Sequence, residues 1–131
     1  MKPNLRRAAL RAGYRSGLEL DLAKELRAKR IKFTYEELKI KWDDSRIRTY
    51  TPDFQLPNGI IIESKGRFVA TDRVKHLRIK DQYKDYYDIR FVFSNPKNKL
   101  NKRSKTTYAD WCDRNGFEWA WKHIPQEWID E

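Results

Sequence analysis

Apolar positions along the chain fall into alternating stretches of helical and strand period, and their order predicts a mixed α/β domain. Leu18, Leu22 and Leu26 with Ala23 form a helical stripe, and Ser16 followed by Glu19 reads as a capping box, so a helix is predicted from Ser16 to about Arg30. Ile31, Phe33 and Tyr35 then alternate on odd positions, whereas Leu38, Ile40 and Trp42 alternate on even ones. That change of phase at Glu36 and Glu37 predicts a bulge, or a strand leaving one sheet for another surface. Asp43, Asp44 and Ser45 make a polar turn, and the runs Arg46 to Leu56 and Ile60 to Lys65 flank Pro57-Asn58-Gly59, a strong hairpin signal. A second helix is expected from a Thr71 cap to about Tyr83, with Val74 and Leu77 on one side and Ile79 and Tyr83 nearly opposite. Asp88 to Ser94 is apolar on both faces at its centre, as an internal strand is. Thr107 caps a helix through Trp111 and Cys112 that stops at Asn115 and Gly116, and Pro125 suits the first turn of a short last helix.

At 131 residues the chain is expected to form one domain, residues 16–131, behind a basic arm, residues 1–15. Five Trp, seven Tyr and six Phe supply large core pieces despite a charged fraction of 37%. The lone Cys112 excludes an intrachain disulfide and reads as a small buried hydrophobe; with His76 and His123 it makes a poor zinc set. No apolar run follows the basic start, none is long enough to span a bilayer, and no phosphate-cradling glycine loop is present. The expectation is a soluble, intracellular protein with no membrane partner and no nucleotide cofactor.

Charge sharpens this picture. The net charge is +10, but residues 106–131 are net −4, which leaves residues 1–105 at net +14. Two runs hold no acid: Lys2, Arg6, Arg7, Arg11 and Arg15, then Lys97, Lys99, Lys102, Arg103 and Lys105. Neither has the apolar face of an interfacial helix, so nucleic acid is the expected partner. His76 shares a helix stripe with Arg73, Lys80 and Lys84, which gives it a possible phosphate contact.

The hairpin carries the candidate chemistry. A three-residue loop pairs Phe54 with Ile62 and Asp53 with Glu63, and it puts Asp53, Gln55, Ile61, Glu63 and Lys65 on one face. A two-residue loop would mix polar and apolar positions on both faces. Opposed carboxylates need a cation or a compensating role, and two hard oxygen ligands suit Mg²⁺. Lys65 can polarise or deprotonate the attacking water, or neutralise phosphate charge. Glu19 continues the inward face of Leu22, Ala23 and Leu26 and is a candidate third carboxylate.

Pro52-Asp53 followed by Glu63-Ser64-Lys65 resembles the PD-(D/E)XK nuclease signature. Tyr14 to Glu19, Ile31 to Glu37, Thr49 to Phe54, Leu56 to Ile60, and Ile124-Pro125 with Glu127 to Ile129 together resemble the phage endonuclease I family of the T-seven type, which resolves four-way (Holliday) DNA junctions. The resemblance implies a restriction-endonuclease-like α/β fold, a mixed sheet flanked by helices, in an intertwined homodimer. It implies catalysis of phosphodiester hydrolysis by Glu19, Asp53, Glu63 and Lys65, with Mg²⁺ or Mn²⁺ on Asp53, Glu63, the Ser64 main-chain carbonyl and Glu19. It also implies that Glu19 reaches the site from the partner chain, with residues 38–50 as the bridge. The bridge lacks the prolines associated with the family, and the long basic tail expected after the last helix is missing. Candidate DNA contacts are Arg6, Arg7, Arg11, Arg15, Arg67, Arg73, His76, Lys97, Lys99, Lys102, Arg103 and Lys105. The rival readings are a sequence-specific, mismatch or transposon-end nuclease on the same fold, and a non-catalytic DNA-binding module.

Overall fold

A computed structural model describes residues 5–83 and 86–131, without the side chains of residues 5 and 6. Lys2, Lys84 and the Arg6 side chain, all weighed above as basic contacts, lie outside the described residues. Five strands make one mixed sheet in the order β1 (Thr34–Tyr35), β4 (Phe54–Gln55), β5 (Ile61–Lys65), β6 (Ile89–Phe93), β7 (Trp119–Trp121). The β1, β4 and β5 pairs are antiparallel, and β5, β6 and β7 run parallel. Parallel neighbours need long crossovers. α3 (Ala70–Tyr83) and α4 (Tyr108–Asn115) lie within them.

Side-chain alternation along β5 and β6 divides the core in two. Ile62 and Val92 join Phe54, Leu56 and Ile60 on one face, under α1 (Leu5–Arg11), α2 (Gly17–Ala28) and α5 (Gln126–Asp130). Ile61, Phe91 and Phe93 turn to the other, where Phe68, Ile79, Trp111 and Phe117 cover them. The result is a layered α/β domain whose internal strand β6 is buried at every position.

The predicted hairpin forms in the predicted register, Phe54 against Ile62 and Gln55 against Ile61. Gly59 closes the loop at φ +93°, a conformation open to glycine at no steric cost. Thr107 and Asp110 form a reciprocal capping box, and Gly116 ends α4 in the left-handed region.

Four expectations need correction. A helix unforeseen in the pattern, α1, precedes Ser16; its small Ala9 is fully buried against the α2 side of the core, where periodic leucines are not needed. The run Arg46 to Leu56 is not one strand, because it breaks at Thr51-Pro52-Asp53. Its first part, β3 (Ile47–Tyr50), pairs with β2 (Ile40–Asp43) in a separate two-stranded sheet, and only Phe54 and Gln55 join the main one. The odd-position run from Ile31 contributes only β1. On α3 the buried side chains are His76 and Ile79, while Val74 and Leu77 face solvent.

Candidate active site

The site lies at the carboxyl end of β5, where the parallel strands open toward the α3 side. Asp53 N–H donates to Glu63 Oε1 at 2.9 Å, and Ser64 donates to Asp53 Oδ2 from its main-chain N–H at 2.9 Å and from its hydroxyl at 2.8 Å. Each strand's carboxylate is thus held by the other strand's backbone. This reciprocal bonding is the compensation that opposed acids require.

Glu19 arrives from α2. Ser16 Oγ accepts from Glu19 N–H at 3.1 Å, as a capping box begins, but the Glu19 carboxylate does not complete the box. It accepts instead from Arg15 N–H at 3.3 Å and from the Tyr35 hydroxyl in a short bond. Glu36, marked in the sequence only as a change of phase, has φ +52°, and its N–H donates to Asp53 O at 2.9 Å. The left-handed residue swings its carboxylate inward. Oxygens of Glu19, Glu36 and Asp53 lie within 4.8 Å of one another. Glu63 stands outside that trio and lines the same cleft of about 350 Å³, together with Arg15, Lys39, Lys65 and Lys75. Glu19 and Asp53 come together within the one chain described.

Electrostatics fit a cation-binding pocket. Burial, then Asp53, pushes the Glu63 carboxyl up to about 8. Burial also raises Asp53, against hydrogen bonds from Ser64, and raises Glu19, against the bond from Tyr35. Acids that hold protons this tightly lack sufficient positive charge, and a hard dication among their oxygens supplies it. Lys65 Nζ lies 3.6 Å from Glu63 Oε2 and 3.5 Å from Asp72 Oδ2. Burial opposes its charge, but Glu63, Asp72 and Asp53 outweigh burial and lift its pKa. Without a metal ion Lys65 therefore favours its ammonium form, which can neutralise phosphate charge.

Among the expected DNA contacts, Arg7, Arg11, Arg15, Arg67, Lys97, Lys99, Lys102, Arg103 and Lys105 are exposed. Arg15 Nε pairs with Glu36 Oε1 at 3.1 Å at the mouth of the cleft. Arg73 is half-buried and donates to Phe68 O at 2.6 Å, so it is partly committed to the fold. His76 is a correction: its side chain is fully buried beneath β6 and cannot reach a phosphate from there. Sequence reasoning missed Glu36, Tyr35, Lys39 and Lys75. Lys39 Nζ bonds Thr51 Oγ1 at 3.0 Å, and Lys75 lies over the Tyr50 ring at 5.2 Å. Only the Tyr35-Glu36-Glu37 break offered a signal.

The basic loop after β6 leaves the same sheet edge, since Ser94 N–H donates to Lys65 O at 3.1 Å. Cys112 is buried, with its thiol pushed up to about 12 chiefly by burial, and takes no part. Among the described residues no helix is long and apolar enough to cross a membrane.

Comparison with known proteins agrees with this geometry. The chain is 49% identical over 119 residues to Endonuclease I of Escherichia phage T7, covering 90% of this chain and 79% of that protein. It is 46% identical over 119 residues to Endodeoxyribonuclease 1 of Enterobacteria phage T3, covering 90% and 78%. The model of the phage endonuclease I family matches residues 2–131, so the chain is a nuclease and belongs to the phage endonuclease I family.

Proposed function

We propose that this nuclease is a metal-dependent endodeoxyribonuclease that cuts branched duplex DNA as a homodimer. The observation that carries this reading is the cleft lined by Glu36, Asp53, Glu63 and Lys65 with Arg15, Lys39 and Lys75, where a Glu19 oxygen lies within 4.8 Å of those of Glu36 and Asp53. Asp53 and Glu63, with the Ser64 main-chain carbonyl and Glu19, would hold Mg²⁺, and Mn²⁺ would substitute at the same hard-oxygen donors. When bound, such an ion lowers the pKa of a water and offsets charge on the phosphate oxygens.

The chain's own groups supply the rest. Asp53 is kept in register by Ser64, and Glu63 by the Asp53 backbone, so neither carboxylate has to search for its position. The Lys65 ammonium donates to a non-bridging phosphate oxygen as negative charge builds up during attack. Water forms the new bond to phosphorus and gives up a proton to the surrounding solvent, the bridging P–O bond breaks, and the leaving oxygen takes up a proton from solvent.

Arg7, Arg11, Arg15, Arg67, Lys97, Lys99, Lys102, Arg103 and Lys105 meet the backbone on either side. Phosphate contacts carry no base sequence, which suits recognition by branch geometry. Two subunits would cut paired strands. The β2–β3 turn, where Ser45 has φ +60°, is the candidate opening point through which residues 38–50 bridge the halves.

The test is cleavage of a synthetic four-way junction and a linear duplex of matched sequence, by wild type and Glu63→Ala in parallel. Fast Mg²⁺-dependent cutting of the junction alone is expected, and Glu63→Ala should bind it without cutting. Equal rates on both substrates would refute branch selectivity, and unchanged cutting by the variant would refute the site. Light scattering that gave a monomer would remove the dimer.

A further inference from the structure

Two buried polar side chains beside the site have no hydrogen-bond partner: neither ring nitrogen of His76 is satisfied, nor is the Tyr50 hydroxyl. Both residues are almost wholly enclosed, and their rings meet edge to face at 5.2 Å. Orphaned groups in a dry interior are costly, so their retention calls for a reason. The nearest charge is Glu63. His76 Nε2 lies 3.9 Å from Glu63 Oε2, the same oxygen that faces Lys65 Nζ at 3.6 Å, while Oε1 is already taken by the Asp53 N–H. Tyr50 lines the cleft together with Glu63.

Phe91 and Phe117 close in on the imidazole from behind, and Lys75 covers the Tyr50 ring from the cleft side. Neither polar atom can turn away to water.

We propose that His76 and Tyr50 are positioning residues for Glu63, supplying N–H and O–H donors on the inner side of its carboxylate so that the group faces the cleft in one orientation. The inference rests on the reading of Glu63 as a metal ligand. A histidine ring suits this role, because Nε2 faces Glu63 while the rest of the ring stays edge to face in its bed of Phe91 and Phe117. It also accounts for a histidine on α3 that is packed inward among aromatic rings while Val74 and Leu77 on the same helix are exposed.

The experiment is calorimetric titration of Mn²⁺ into the DNA-free protein for wild type, His76→Phe, His76→Gln, Tyr50→Phe and Glu63→Ala, with melting temperatures alongside. His76→Phe and Tyr50→Phe are expected to bind Mn²⁺ about 10–100-fold more weakly, the usual loss when a ligand's supporting hydrogen bond is removed. His76→Gln, whose amide N–H reaches the position of Nε2, should recover most of the affinity. Tyr50→Phe, which removes a single orphaned oxygen, should melt no lower than wild type. Should His76→Phe fail to fold, Tyr50→Phe decides alone. Wild-type Mn²⁺ affinity in the Phe variants, or a Gln variant as weak as Phe, would overturn the proposal. Unchanged binding by Glu63→Ala would instead overturn the reading of Glu63 as a ligand.

Discussion

Glu63→Gln is expected to abolish metal-supported cleavage while making the metal-free protein more resistant to heat at pH 8. Burial, above all, pushes the Glu63 carboxyl up to about 8 in the folded protein, from an ordinary value of 4.5. Between those two values the native state keeps a proton that the unfolded chain releases. Unfolding therefore becomes easier as pH rises from about 5 to 8, and above that window the ionised carboxylate costs on the order of 4 kcal/mol. A neutral amide removes this burden and keeps an oxygen for the Asp53 N–H. Well below pH 4.5 the two proteins should melt alike, because Glu63 is then protonated in both states. With saturating Mg²⁺ the order should reverse at pH 8, since an ion that binds only the folded carboxylate form stabilises wild type alone. Thermal melts below pH 4.5 and at pH 8, with Mg²⁺ and with chelator, check each part. Parallel pH slopes for the two proteins would show that Glu63 ionises freely.

Phe68→Ala should remove much of the stability of the whole domain. Its ring is fully buried directly beyond Lys65, with ring centroids 4.9 Å from Phe91, 5.0 Å from Trp111, 5.4 Å from Phe93 and 5.8 Å from Tyr108. This side chain therefore packs against both strand β6 and helix α4, which also touch through Phe93 and Tyr108. Truncating such a phenylalanine costs about 3–5 kcal/mol, out of roughly 5–15 kcal/mol for a typical domain. For a chain of this size that is a fall in Tm of about 10–20 °C. Urea and thermal unfolding measure it, and a loss below about 1 kcal/mol would mean that the aromatic cluster closes over the gap. Because Arg73 is anchored on the Phe68 carbonyl, the variant should also loosen the segment between Lys65 and α3.

The hairpin register was legible because loop chemistry and alternation point to the same pairing. Pro57-Asn58-Gly59 sets the loop, and any one-residue slip would turn Phe54 and Ile62 away from the core. Thr107 and Gly116 announced both ends of α4 through local bonding alone. The features that escaped depend on tertiary contact. Helix α1 is anchored by an alanine that periodicity does not weigh. Pro52 and its neighbours divide a β-rich run between two sheets. His76 carries a polar label yet takes a core position, and Glu36 enters the site through a backbone twist that no side-chain pattern encodes. Asp53, Glu63 and Lys65 could be singled out because strand period puts them on one face, and Glu19 because helix period points it inward.

Arg90 sits at the amino ends of the parallel strands, gripped by Asp88, Glu118 and Glu131. Three carboxylates around one guanidinium leave that pole negative, while Arg67 and the 97–105 loop, which follow β5 and β6, put exposed positive charge at the opposite pole. The molecule is consequently an electric dipole laid along its own strands. In the field of a polyanion it experiences a torque before it makes any contact, so collisions begin with the catalytic end already turned forward and the acidic end trailing.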